Sequence, residues 1–241
     1  TVPKGAEVLL ETRFPYLTNL QRRDVLASTV ISSGYPLLDD TEGWGRLNLF
    51  AASDGYGSFS QAVEIVMDAQ RGGFAQQDIW RNDISGVGGL IKRGTGTLVL
   101  AGQNSYTGGT VIQEGILETR TPRSLGKGAV TVTGGSLIKA GREPLVIEGN
   151  YIQERNGTLE ITLGSPRDGL DCRGTLRLDG LLRLRLVDGF IPFRNPITII
   201  THGPQKRSGQ FMSIEVTGAS GYRATLQYQT NQIQVVFEKR Q

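Results

Sequence analysis

Cysteine is nearly missing from this chain, with one residue, Cys172, in 241. No intramolecular disulfide can form, so packing and backbone hydrogen bonds must hold the fold. Histidine is equally scarce: His202 stands alone in ITHGPQ, with no second histidine and no nearby cysteine to share a metal. Aromatic residues make up only 7%, which leaves a core of aliphatics. No apolar run is long enough to cross a bilayer, and none is organised like a signal peptide. Net charge is only +3, and no clustered basic face is evident, so nucleic acid is not an expected partner.

Glycine is abundant, at 33 residues, and implies many tight turns. The glycines punctuate short alternating runs. Leu98, Leu117, Leu137 and Leu159 recur about every twenty residues, the spacing of a short-period solenoid. Between them Val130/Val132 and Leu145/Ile147 keep period two. TLEITL at 158–163 and LRLRL at 182–186 alternate most cleanly, with Arg183 and Arg185 facing outward. These patterns predict strands that pair with the equivalent strand one coil on, about 4.8 Å away, and inward leucines and valines that stack into a dry column without ionisable groups. Each coil would be held by its neighbours alone.

The densest stretch is Gly88–Glu118, GGLIKRGTGTLVLAGQNSYTGGTVIQEGILE. Leu98 and Leu100 are expected inside, Thr97 and Val99 outside. Asn104 and Gly108-Gly109 are expected at turns needing positive φ. The residues Gly89-Leu90, Lys92, Gly94, Gly96-Thr97-Leu98, Leu100, Gly102, Asn104, Tyr106 and Gly108-Gly109-Thr110 resemble the passenger-associated repeat of bacterial autotransporters. The resemblance implies a right-handed parallel β-helix and a role in export and stability rather than catalysis.

The full reading is mainly β: a right-handed parallel β-helix (solenoid) with a short N-terminal helical segment and a C-terminal cap. Residues 1–59 are a helical lead-in and Trp/Gly turn, the tail of an upstream catalytic domain. Residues 60–186 are the parallel β-helix, and 187–241 a C-terminal β cap that covers the last edge. In the lead-in, Ala6, Val8, Leu9 and Leu10 suggest an apolar stripe ending at Phe14-Pro15. A second helix is expected from a cap at Thr18 or Asn19 through Leu20, Val25 and Leu26. Such helices are marginal alone and need either the open solenoid end or another domain to pack on. Trp44, Leu47, Leu49 and Phe50 read as a hydrophobic plug.

Two further resemblances concern what precedes the coils. GYPLLDDTEGWGRLNLFAASDGYGSF, within roughly residues 7–85, is similar to the segment after the catalytic domain of secreted bacterial acid phosphatases of the phosphatidic-acid-phosphatase superfamily. RFPYLTNLQRRDVL followed by GWGRLNL resembles the region downstream of the catalytic serine in subtilase autotransporters. Neither family's catalytic motifs can be placed here. Both resemblances imply a chain downstream of a hydrolase, with an acid phosphatase the preferred enzyme and a subtilase autotransporter the alternative, an extracytoplasmic home (periplasm, outer-membrane surface or secreted), and a partner that is the upstream catalytic domain or chain of the same precursor. The start at Thr1-Val2-Pro3 is read as the carboxy-terminal piece of that precursor.

No catalytic, cofactor-binding or metal residue is assigned, and no cofactor is expected. His202 reads as structural. Asp39, Asp40 and Glu42 offer hard oxygens but not the alternate spacing of a calcium loop. GTGT at 94–97 lacks the Lys-Ser/Thr and helix of a phosphate loop. Arg177, Arg183 and Arg185 could form a stripe for a polyanionic glycan, against the simpler reading of a solvated sheet face. An adhesin or glycan-binding surface is the alternative function.

Overall fold

The structure is a computed structural model and describes residues 3–31, 45–187, 190, 196–204, 206–218 and 221–239. It opens with α1 (Lys4–Arg13), α2 (Asn19–Ser28) and the short α3 (Leu49–Ser53). α2 begins where expected: the Thr18 side chain accepts from Gln21 N while the Gln21 side chain accepts from Thr18 N, a reciprocal capping box.

From Val63 the chain winds into coils. The first holds β1 (Val63–Val66) and β2 (Gln77–Trp80); the next β3 (Leu90–Arg93) and β4 (Thr97–Leu100); then β5 (Thr110–Ile112) and β6 (Ile116–Thr119). A third strand per coil appears with β7 (Val130–Val132), β8 (Ser136–Lys139) and β9 (Leu145–Ile147). It persists through β10 (Tyr151–Gln153), β11 (Thr158–Leu163) and β12 (Leu170–Cys172), and through β13 (Leu176–Leu178), β14 (Leu181–Leu186) and β15 (Ile197–His202). The chain ends with β16 (Arg207–Gly209), β17 (Ser213–Thr217), β18 (Tyr222–Tyr228) and β19 (Gln232–Lys239).

Every sheet skips along the chain, as a solenoid demands. One seven-stranded sheet runs β1-β3-β5-β7-β10-β13-β16, a second β2-β4-β6-β8-β11-β14-β17, and a third β9-β12-β15 followed by the antiparallel β19-β18 hairpin. All coil-to-coil pairs are parallel. The fold is a mainly β, parallel β-solenoid with short N-terminal helices. β16 and β17 pair in parallel with β13 and β14, so the coiling continues past residue 186 before the hairpin closes it.

The leucine period becomes a physical column. Leu98, Leu117, Leu137, Leu159 and Leu182 are register partners in succession and all fully buried. Burial of such a side chain contributes about 1.5–3 kcal/mol, and a stack of them makes neighbouring coils interdependent. Arg183 and Arg185 do face outward while Leu182, Leu184 and Leu186 face in. Val99, expected on the outer face, is nonetheless fully buried.

Three sequence expectations are corrected. Val8 and Leu9 do not share the buried stripe of α1; only Ala6 and Leu10 are buried there. Leu47, Leu49 and Phe50 form no plug, since all three are exposed; Trp44 lies outside the described residues. The interior is also not wholly aliphatic. Asp78, Lys92, Lys139, Gln153 and Asp168 are all buried, and each answers a polar partner, as burial of such groups requires.

Candidate functional site

The repeat coil shows why its residue types are needed. Asn104 is 2% exposed. Its Oδ1 accepts from Ile84 N at 2.8 Å in the preceding coil and its Nδ2 donates to Ser124 O at 2.6 Å in the following one. One side chain thus staples three successive coils, none of which has a third strand. Tyr106 is fully buried, and its hydroxyl lies 2.6 Å from Thr110 Oγ1. Gly109 has φ +84°, as expected. Gly108 is required for a different reason: a Cβ there would sit 2.5 Å from the Gly88 carbonyl carbon of the coil below.

Lys92 follows the inward phase of LIKR, one rung after Ile65 and one before Ile112. Its Nζ donates to Arg93 O and Gly94 O, both at 2.8 Å, at the turn into β4. Burial lowers its pKa to about 8, opposed by the charge of Glu114. Gln153 occupies the same row further along, donating to Gly157 O and Leu181 O. Lys139 replaces an aliphatic in the row Leu100, Thr119, Lys139, Ile161. Its Nζ lies 2.6 Å from Asp168 Oδ1, with both side chains buried, and Gly164 N donates to Asp168 Oδ2. Burial lowers the Lys139 pKa, and Asp168 raises it. These groups cap turns and close an ion pair. A period-two reading would have placed Lys92 and Lys139 inside; the expectation that charge faces solvent hid them. Asp168 carried no such signal, because it sits in a turn.

At the first rung, Asp78 pairs with Leu98 and so occupies the head of the leucine column. Arg13 Nη1 reaches Asp78 Oδ2 at 2.6 Å, the Tyr16 hydroxyl donates to the same oxygen at 2.5 Å, and Trp80 Nε1 donates to the Tyr16 hydroxyl at 3.0 Å. Arg13 also lies over the Phe14 and Phe74 rings. Burial, then the Asp78 charge, raises the Tyr16 pKa well above its ordinary value. The helices therefore pack on the solenoid's open end, the first of the two alternatives.

The residues weighed for chemistry are not brought together. His202 is 6% exposed, with Nδ1 2.9 Å from Gly203 O and Nε2 without a partner among the described residues. Its register neighbour is Cys172, whose thiol pKa is raised by burial, the opposite of an activated nucleophile. No group of three or more metal-ligating side chains occurs among the described residues. Asp39, Asp40 and Glu42 lie outside them. The arginine stripe is corrected: Arg177 belongs to β13 in one sheet, Arg183 and Arg185 to β14 in another. Each faces an acid, Arg177 Glu154 at 3.8 Å, Arg183 Glu215 at 2.8 Å and Arg185 Glu160 at 3.2 Å. An open groove of about 710 Å³ runs over the third sheet, walled by Pro122, Pro144 and Pro166 and floored by Val146, Asp171 and Thr201. Thr201 Oγ1 donates to Asp171 Oδ1 there.

No helix among the described residues is long and apolar enough to cross a membrane. The passenger-associated-transport-repeat family matches residues 90–118, the stretch that contains Lys92, Asn104 and Gly108-Gly109. The chain is 33% identical over 144 residues to an extracellular serine protease of Serratia marcescens, covering 47% of this chain and 14% of that protein. It is 33% identical over 184 residues to the autotransporter lipoprotein NalP of Neisseria meningitidis, covering 66% of this chain and 16% of that protein. It is 36% identical over 102 residues to the adhesin BmaC autotransporter of Brucella suis, covering 42% and 3%. The chain thus spans about a sixth or less of the length of these relatives. Taken with the coils and staples described above, the repeat and these relatives support an autotransporter passenger β-helix.

Proposed function

We propose that this chain is the non-catalytic β-helical module of an exported bacterial hydrolase precursor, working outside the cytoplasm in secretion, stability or envelope placement. The observation that carries it is the filled interior: inward polar groups are committed to turn carbonyls or to one another, and His202 and Cys172 are buried in the wall. The identity of the hydrolase is a finer matter. A serine protease is favoured, because one of the relatives above is an extracellular serine protease, and the subtilase type is what the resemblance of RFPYLTNLQRRDVL and GWGRLNL implies. The acid phosphatase preferred from the sequence draws no support from those relatives.

The test has two arms. Purified chain should show no turnover of p-nitrophenyl phosphate or of casein above blank; robust turnover of either refutes a non-catalytic role. Deletion of residues 90–118 from the precursor should sharply reduce passenger at the cell surface. Undiminished surface passenger would sink the export and stability role. A second reading, a surface-binding passenger, is favoured by the relative named as an adhesin and by the open proline-walled groove.

A further inference from the structure

Proline and arginine recur together at one corner of the solenoid. Pro122-Arg123 follows β6, Arg142 with Pro144 follows β8, and Pro166-Arg167 follows β11, once in each of three successive coils. Backbone bonds show that these segments stack. Gly141 N donates to Thr119 O, Val146 N to Pro122 O at 2.8 Å, and Leu145 N to Gly169 O at 2.9 Å. The three prolines wall the groove over the third sheet, and Arg167 and Glu143 line it too. Arg123, the residue after Pro122, lines a second pocket of about 300 Å³ with Lys127, Ser105 and Gln103.

Arg123, Arg142, Arg167 and Lys127 are all exposed. Among the described residues none of them has a carboxylate within ion-pair distance, whereas the outward Arg93, Arg177, Arg183 and Arg185 of the other two sheets each do. The acids of this corner are mostly committed, Glu148 to Arg173 and Asp171 to Thr201 and Arg173; Glu143 is the exception. Other uncommitted arginines, such as Arg71 after β1 and Arg155 before β11, stand singly in their turns. A row of like charges stacked coil on coil does nothing for the fold, and its field favours an anionic polymer.

We propose that this proline–arginine corner binds a linear polyuronate, a polysaccharide with one carboxylate per sugar, laid along the solenoid axis. This rests on the reading of the chain as a surface-binding passenger. Period selects the occupant. Coils repeat at about 4.8 Å, close to the length of one pyranose in an extended chain, so one arginine per coil meets one carboxylate per sugar. The guanidinium fork matches a carboxylate. Proline rings offer flat apolar walls to the C–H faces of the sugars, and Asp171 and Thr201 on the floor offer oxygens to their hydroxyls. Nucleic acid fits poorly, because no aromatic ring lines either pocket. An anionic bilayer fits poorly, because none of the large exposed apolar side chains lines the groove.

The experiment titrates labelled hexagalacturonate with the 241-residue chain at low salt and reads fluorescence anisotropy. Binding should be saturable. It should weaken about tenfold or more in Arg123→Ala/Arg142→Ala/Arg167→Ala, a few-fold in each single variant, and also when salt is raised to 1 M. The thermal midpoint of the triple variant should match the parent, which separates a lost site from lost folding. Arg177→Ala/Arg183→Ala/Arg185→Ala, which removes the same charge elsewhere, should leave the affinity unchanged. Absence of binding overturns the proposal. So does equal binding of hexaglutamate, an equal loss in the second triple variant, or flotation with phosphatidylglycerol vesicles in place of glycan binding. Binding of maltohexaose that the first triple variant retains would overturn this site and leave the surface-binding reading standing.

Discussion

The two ends of the column are closed by different physics. At the N-terminal end the first rung places a carboxylate, Asp78, where every later rung but the last has leucine. The helical lead-in answers it with Arg13 at the end of α1 and Tyr16 in the turn before α2. At the C-terminal end, Ile214 and Val216 continue the aliphatic rows, and Arg207 stands above Leu176, over the Tyr228 ring. The hairpin β18–β19 then folds back, pairing antiparallel with β15. One end is sealed by side-chain chemistry between distant segments, the other largely by a backbone ladder. An open β edge invites pairing with other chains; the hairpin converts one such edge into an internal strand, and the helices cover the other end sterically.

The sharpest way to break this contrast is Asp78→Ala. It leaves a guanidinium 15% exposed, and a buried Tyr hydroxyl, without their anion. Loss of one partner from a buried pair costs about 3–5 kcal/mol. Chemical denaturation should show this, and hydrogen exchange should place the loosening in α1, α2 and β1–β2, with β10–β17 still protected, because a solenoid couples neighbours only. A double replacement, Arg13→Leu/Asp78→Leu, should recover most of the loss. If Asp78→Ala is neutral, the ion pair does not close the column.

The matching change at the other end is Ile233→Ala. Ile233 is fully buried and faces both Ile200 and Tyr228 across the ladder. Truncation of such a side chain costs about 2–4 kcal/mol. The loosening should now appear in β15, β18 and β19, with α1–α3 untouched. Exchange that spreads over the whole molecule in both variants would show one cooperative unit and erase the distinction between the ends.

This asymmetry was half legible in the sequence. The leucine period located the column, because an aliphatic that recurs at coil length lands at the same point of every turn, and LRLRL fixed which face was in. The Thr18 cap was readable from local chemistry. What failed were the residues whose burial depends on distant partners. Asp78 and Lys139 carry formal charge, and nothing local says that Arg13 and Asp168 will meet them 65 and 29 residues away. Leu9 and Phe50 failed in the opposite sense: an apolar residue on a helix predicts a buried face, not which body buries it. Asn104 stood out as a turn residue, but its bridging between coils was not legible, since Asn serves turns and coil-bridging amides alike.

A subtler comparison sets Lys92 near one end against Gln153 toward the other. They share an inward row and the same task of capping turn carbonyls, one with a charge and one without. Burial pulls the Lys92 pKa from 10.5 to about 8. Between those values the unfolded chain holds a proton that the folded chain has released, so this residue makes stability rise with pH across that window. Tyr16, Tyr106 and Cys172, whose pKa values are raised by burial, pull the other way at the alkaline side. The Lys92→Gln variant isolates the effect. Its stability gain over the parent should be largest at neutral pH and should shrink as pH rises through 8. A difference that is flat from pH 7 to 10 would mean that Lys92 stays solvated or fully paired.

The smallest expected effect lies on the outer surface of the later coils. Arg183 spans three of them, reaching Glu160 at 3.4 Å and Glu215 at 2.8 Å, whereas Glu64–Arg93, at 3.3 Å, links only the first two coils. The triad looks like a strap, but its arginine is 33% and Glu215 49% exposed. Pairs in that environment contribute about 0–1 kcal/mol, because water competes for both partners and long side chains lose freedom when held. Arg183→Ala should therefore cost less than about 1 kcal/mol at low salt and close to nothing at 1 M salt, where screening acts over about 3 Å. Loss of more than that, unrelieved by salt, would mean that the arginine stem packs against the sheet and contributes through contact rather than charge. In that case the later coils would be held from outside as well as from within, and the contrast between the two ends would extend along the whole length of the solenoid.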